Sequence, residues 1–458
     1  MHIHILGICG SFMGSLAIIA KQLGHEVSGS DENVYPPMST QLEKAGIKLK
    51  VGYSIDHLRP RPDQVIVGNV ISRGNDIAEF LLNSDISYTS GPQWLHDHVL
   101  RDRTVLAAAG THGKTTTTSM LAWILEFAGL QPGFLIGGVP KDFDYSSRLG
   151  GSNYFVIEAD EYDTAFFDKR SKFVHYCPHT LILNNLEFDH ADIFNDINDI
   201  KRQFHHLLRI MPSKGIVIIN HEDENIRDVI EMGCWTPVES FSISDSSANW
   251  FAEKIDPYGK KFALQQNGKS AGEGEINLFG RHNIANSLAA IAAAQHVGVS
   301  VDTSLQALAQ FSGVKRRLEH KGTFNQVSVY DDFAHHPTEI AATISAFKAQ
   351  SQQGRVVTIF EPRSNTMRLG VHTDVLADAF EEADKVVMFK PNDIQWSIQE
   401  VADQMRPACN VFQTVDEIIA DILDDIKQDD KILILSNGGF DGLSAKLVSQ
   451  LSNSSIVH

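Results

Sequence analysis

The chain has 458 residues, more than one hydrophobic core organises, so two or three domains are expected. Apolar residues make up 43% and charged residues 21%, as in ordinary globular proteins, and the formal net charge of −18 argues against a nucleic-acid partner. Four scattered cysteines (Cys9, Cys177, Cys234, Cys409) lack a CxxC pair, which argues against a disulfide framework or a cysteine zinc site. No stretch approaches the length of a membrane span, and no lysine or arginine precedes Lys21, so a soluble cytoplasmic protein without a membrane partner is expected.

In chain order, His2 to Ile8 reads as a strand, followed by glycines at 7, 10 and 14, a helix to Leu23, and a strand from Glu26 ending on Ser30-Asp31. Glycines at this spacing let backbone approach a diphosphate at a helix N-terminus, with Asp31 near a ribose or base. A nicotinamide oxidoreductase is the rival reading, but GxxGxxxG is not the GxGxxG such enzymes need. Further strands are expected at Gln64 to Gly68 and Ile86 to Tyr88, the rhythm of a doubly wound parallel sheet. A boundary is expected near residue 100.

The next block opens on Val105-Leu-Ala-Ala-Ala109, then Gly110-Thr-His-Gly-Lys114 and a run of threonines. Strand, glycine loop and helix form a phosphate cradle in which Lys114 reaches the terminal phosphates and Thr115 can ligate Mg²⁺. Ala108 stands where the standard motif has its first glycine. The strand Tyr154 to Ile157 runs into Glu158-Ala-Asp-Glu161, where a nucleotide-bound Mg²⁺ is held in such proteins. Thr180 to Leu183 leads to Asp189-His190. Here His190 either ligates a second cation, lies near the attacking group, or is structural. Ile216 to Ile219 is a further strand, 244–277 a polar hairpin excursion, and Ile284 to His296 an Ala-rich helix. Before it, in Gly280 to Asn286, the amide side chains are placed to read an adenine edge; the plain alternative is that Asn283 caps the helix.

The third block carries strands at Val327 to Tyr330, Arg355 to Phe360, Lys385 to Phe389 and Lys431 to Leu435. Asp331 or Asp332 is positioned to bond a ribose, with His335 and His336 on the same turn. Arg363 and Arg368 are natural carboxylate clamps, because guanidinium pairs bidentately. A phosphoryl-transferring kinase or transporter subunit shares the phosphate loop, but no further transporter signature or membrane partner is visible.

In this order, Gly110–Thr117, Glu158–Glu161, Asp189-His190, His282–Asn286, Arg316–Glu319 and Asp331–Pro337 resemble the ATP-dependent Mur ligase family over essentially the whole chain. The resemblance implies an α/β fold of three domains. Residues 1–100 would be a UDP-sugar-binding Rossmann-like domain and 101–320 a P-loop ATPase-like domain with a mainly parallel sheet. Residues 321–458 would be a second Rossmann-like domain, closing on ATP and binding peptide. Within the family, the N-terminal glycines with Ser30-Asp31 and the His-His-Pro turn resemble the branch that uses UDP-N-acetylmuramate directly. Glu361–Arg368 and Ser436–Phe440 resemble the member that adds L-alanyl-γ-D-glutamyl-meso-diaminopimelate in peptidoglycan recycling; L-alanine is the alternative amine.

By the same resemblance, Gly110, Thr111, Gly113, Lys114, Thr115, Thr116, His282, Asn283, Asn286, Asp331 and Asp332 hold ATP. Gly7, Cys9, Gly10, Gly14, Ser30, Asp31, Ser72, His112, Arg363, Asn365 and Arg368 bind the two other substrates. Thr115, Glu158 and His190 ligate Mg²⁺, and Arg317 stabilises the phosphoryl group in transit beside Lys114, Glu158 and His190. His335, His336 or solvent takes the amine's proton. Many relatives carry a carbamylated lysine where this chain has Phe204, Lys201 being too early, so no carbamylation is expected. A monomer or weak homodimer is expected.

Overall fold

The computed structural model describes residues 1–34, 38–350 and 353–453. Three large sheets organise them, beside a two-stranded one of Asp163–Ala165 and Asp168–Ser171. The first is wholly parallel and five-stranded, in the order Lys48–Val51, Glu26–Asp31, His2–Leu6, Gln64–Val67, Ser87–Ser90. Its strand order reverses beside His2–Leu6, so the loop after that strand opens on a crevice at the switch point, where doubly wound sheets bind ligands.

The central sheet has ten strands. Thr104–Ala109 lies between Thr180–Leu183 and Tyr154–Ala159, parallel to both and in register from Thr180 opposite Leu106 to Ala159 opposite Ala109. These strands are near-continuous apolar runs because helices cover both faces, as parallel sheets require. The excursion at 244–277 is an antiparallel extension of this sheet, Trp250–Glu253, Lys261–Gln266 and Lys269–Glu275. The helix Lys114–Phe127 packs on Arg281–His296, whose alanines 289–294 are all buried; small side chains let the two backbones approach. The third sheet runs Glu319–Phe324, Val327–Asp332, Lys431–Leu435, Val356–Phe360, Lys385–Phe389, Ala408–Phe412, with an antiparallel first strand and the rest parallel.

The cores divide unevenly. Ile5 and Leu16 of the first sheet's layer share one apolar cluster with Ala107, Leu135, Tyr176 and Phe204 of the central part. Ser15 and Ser146 hydroxyls meet there at 2.9 Å, and Gln22 accepts from the Leu149 amide at 2.8 Å. The third sheet has clusters of its own on its two faces. It meets the central part mainly through polar contacts. The Thr366 hydroxyl donates to Asp189 at 2.7 Å, Asn365 to Asp192 at 2.9 Å, and Arg316 to the Ser436 carbonyl at 2.6 Å. Among the described residues no helix is long and apolar enough to cross a membrane.

Phe204 is 1% exposed and packs edge-on against Phe173, ring centres 5.2 Å apart. Lys201 pairs with Asp228 at 2.6 Å. Truncating Phe204 to alanine removes a buried ring from the core shared by the first two sheets. The expected cost is about 3–5 kcal/mol, read as a lowered urea midpoint.

Candidate active site

The carboxyl ends of Thr104–Ala109, Tyr154–Ala159 and Thr180–Leu183 point the same way, so the loops after them converge. The phosphate loop turns at Gly113, whose φ is +76° and where a Cβ would sit 2.7 Å from Asn286 Oδ1 and 3.1 Å from Asn184 Nδ2. Only glycine fits this left-handed, crowded bend. The Lys114 ammonium curls back over the loop, donating to the carbonyls of Gly110 (2.7 Å) and Thr111 (3.1 Å) and to Glu161 (3.2 Å). Burial works against its charge, but Glu161, Asp160 and Glu158 outweigh that and raise its pKa.

Thr115 donates its hydroxyl to Glu158 Oε1 at 2.9 Å, and the Gly137 amide donates to Oε2 at 2.7 Å. Burial raises the Glu158 pKa despite these donors. The Arg317 guanidinium reaches the Thr115 hydroxyl at 3.5 Å. His190, with φ of +57°, points its Nε2 at Glu161 Oε1, 3.1 Å away. Burial disfavours its charge, but the bond to Glu161 prevails and its pKa rises. Its closest carboxylate is therefore Glu161, not Glu158, and Asp160, Glu161 and His190 form a compact donor group. Glu161 is 2% exposed and was not singled out by sequence. The acidic run was visible, but which carboxylate turns inward depends on the chain leaving the strand at Ala159. Lys172, also unforeseen, donates to Asp160 at 2.8 Å. Burial resists ionisation of Asp160, yet Lys172 and Lys114 bring its pKa down to about 2.

Lys114, Thr115, Glu158, Asp160, His190 and Arg317 line a cavity of about 1000 Å³ together with Ser11 and Phe12, Arg316 and Asp331, and Arg363 and Asn365. The cavity thus joins all three sheets. Asp331 lies 3.5 Å from Arg316, and Asn365 also donates to Asp192. Arg368 does not line this cavity; it pairs with Asp393 at 2.8 Å. A second cavity of about 560 Å³ shares Gly113 and Arg317 with the first, and is lined by His112, Thr116, His282, Asn283, Asn286, Tyr330 and Asp332. Asn283 spends its amide nitrogen on the Phe279 carbonyl (2.7 Å) and accepts from Asn286 (3.3 Å). Asp332 accepts from the Leu318 and Ala334 amides at 2.5 and 2.8 Å, and burial raises its pKa. Burial also lowers the His282 pKa to about 4.

In the first sheet, Gly10 caps the helix Ser11–Gln22 without a side chain, leaving its first amides for another acceptor. Gly7 has φ of +76°, and Gly14 bonds back to the Gly10 carbonyl at 2.8 Å. Asp31 accepts from the Cys9 amide (2.8 Å) and the Asn33 amide (2.9 Å), so it holds the loop. Ser30 is fully buried between His4 and His57, 2.9 Å from a ring nitrogen of each, and Ser72 is exposed beyond the next strand. His112 lies between Glu187 and Glu339 at 3.4 Å from each. Burial disfavours its charge, but the two carboxylates raise its pKa to about 9.

Three family models match consecutive stretches: the Mur ligase family catalytic domain over residues 2–103, the Mur ligase middle domain over 108–294, and the Mur ligase glutamate ligase domain over 316–438. The UDP-N-acetylmuramate–L-alanyl-γ-D-glutamyl-meso-2,6-diaminoheptandioate ligase of Escherichia coli (strain K12) is 52% identical over 453 residues, 99% of this chain and 98% of that one. The crystal structure of a murein peptide ligase from Psychrobacter arcticus 273-4 superposes with a TM-score of 0.78 at 48% identity, covering both chains fully. That of a UDP-N-acetylmuramate–alanine ligase from Thermotoga maritima gives 0.83 at 25% identity, covering 98% and 99%. A lysine-tipped loop facing an acidic strand end, in a crevice shared by three α/β sheets and matched along its length, settles the kinship: the chain belongs to the Mur ligase family.

Proposed function

We propose that this chain is an ATP-dependent ligase that joins the lactyl carboxylate of UDP-N-acetylmuramate to the alanyl amine of L-alanyl-γ-D-glutamyl-meso-diaminopimelate. The observation that carries the reading is the single cavity in which Lys114, Thr115, Glu158 and Arg317 meet Ser11 and Phe12 from one side and Arg363 from the other. Identity of 52% to a tripeptide-adding relative, against 34% to an alanine-adding one, favours the peptide as the amine.

In this reading residues 1–100 hold the UDP-sugar, 101–320 ATP, and 321–458 close on ATP and bring the peptide. The open amides behind Gly10 receive the diphosphate, and the second cavity takes the nucleoside, with Tyr330 on its wall. The donors fit a hard cation, since a hydroxyl and a buried carboxylate 2.9 Å apart are oxygen ligands of the kind Mg²⁺ selects. Thr115 with Glu158 would hold one Mg²⁺ and His190 with Glu161 and Asp160 a second, and bound Mg²⁺ would screen the repulsion between triphosphate and carboxylate.

The carboxylate takes the γ-phosphoryl group and becomes an acyl phosphate, which supplies the leaving group that a bare carboxylate lacks. Lys114 and Arg317 neutralise the charge spread over the transferring oxygens. The alanyl amine then attacks, phosphate departs, and ADP, phosphate and the amide are the products. His335 lines the large cavity and is the nearer candidate for the amine's proton, while His336 is buried behind it. The setting is peptidoglycan recycling in the cytoplasm.

Lys114→Ala is expected to keep its circular dichroism spectrum and lose about a thousandfold in kcat. Turnover within tenfold of the parent would remove the loop from the mechanism. Phosphate release measured with each substrate omitted in turn should require ATP, UDP-N-acetylmuramate and the tripeptide together. L-Alanine supporting release as well as the tripeptide does would instead favour the alanine-adding reading.

A further inference from the structure

Behind the phosphate loop, where the central part meets the third sheet, a second group of metal-capable side chains lies apart from Asp160, Glu161 and His190. His112 and Glu187 come from the central part and His336 from the turn before the helix Pro337–Gln350. Their three ligand atoms lie within 4.8 Å of one another. His112 Nε2 and His336 Nδ1 each stand 3.4 Å from the same oxygen, Glu187 Oε2.

That spacing is long for a charge-assisted hydrogen bond, whose N···O distance is about 2.7–2.9 Å. It matches the edge of a tetrahedron: with zinc bonds of about 2.0–2.1 Å, neighbouring ligand atoms sit about 3.3–3.4 Å apart. Hydrogen bonding around His336 also leaves a mismatch. The Thr338 amide donates to its Nδ1 at 3.3 Å, and Nε2 is buried with no hydrogen-bond partner. The Thr338 hydroxyl meanwhile donates to Glu187 Oε2 at 2.7 Å, so one residue holds the ring and the carboxylate side by side.

We propose that His112, Glu187 and His336 form a tetrahedral site for a divalent transition metal of the zinc class, distinct from the magnesium donors, its fourth position left to solvent. Two ligands belong to the central part and one to the third sheet's layer, so the site is complete only when the two are together. A bound ion ties them in that arrangement. The charged groups around it are Glu339, 3.4 Å from His112 Nδ1, and His335 and Asp189 beyond; His372 packs on His336 at 4.4 Å between ring centres.

Cobalt(II) reports the geometry, because tetrahedral Co²⁺ absorbs visible light far more strongly than octahedral Co²⁺ in an oxygen-rich magnesium site. Titration of the full chain with Co²⁺ alone should give one intensely coloured equivalent, displaced by Zn²⁺ and unaffected by excess Mg²⁺. His336→Gln and Glu187→Gln should each lower Zn²⁺ affinity by more than about a hundredfold, since even outer-shell partners are worth about ten- to a hundredfold, while His190→Gln keeps the colour. Glu187 is at the more exposed edge of the group and gives the same readout should the buried histidine change unfold the chain. Weak octahedral bands only, strong bands that survive in both variants, or strong bands lost with His190→Gln would each overturn the proposal.

Discussion

The charge balance around one buried lysine governs the site. Lys114 must stay ionised inside the protein, and Glu158, Asp160 and Glu161 at the adjacent strand end keep it so. A buried cation without such partners would lose its proton instead. The same carboxylates, however, repel a triphosphate. Under the proposed function positive charge would enter with the nucleotide and give the oxygen donors Thr115 and Glu158, 2.9 Å apart, a cation to bind.

The packing around this centre is asymmetric. The first and central sheets share an apolar core that includes Ile5, Leu16, Tyr176 and Phe204, whereas the third sheet keeps its own cores and meets them through Thr366, Asn365, Thr338 and Arg316. Separating apolar layers costs free energy in proportion to the area exposed, while polar contacts exchange for water at little net cost. The third layer is thus the one least tied by apolar contact, and it presents Arg363, Asp331 and His335 to the cavity.

Much of this was legible in the sequence because parallel strands covered on both faces must be apolar runs, and such runs ended at the glycine loop, the acidic run and Asp189-His190. Less legible were the short or half-polar strands. Lys48–Val51 and Glu319–Phe324 lie at sheet edges, where one free side permits polar residues, and Gly133–Leu135 has only three. Side-chain direction was harder still. Ser30 and Asp31 sit beside the first loop as expected, yet Ser30 is locked between two histidines and Asp31 holds backbone amides. Arg363 faces the large cavity while Arg368, five residues on, turns to Asp393. Glu161 rather than Glu158 meets His190. Each outcome depends on a partner distant in sequence, which spacing alone does not reveal.

The balance of charge at Lys114 is tested most directly by calorimetric titration with a non-hydrolysable ATP analogue, once with Mg²⁺ and once with EDTA. Binding at least about tenfold weaker in EDTA, about 1.4 kcal/mol, is the expected result. Equal affinity in the two conditions would contradict it, because the acidic strand end would then impose no need for a cation.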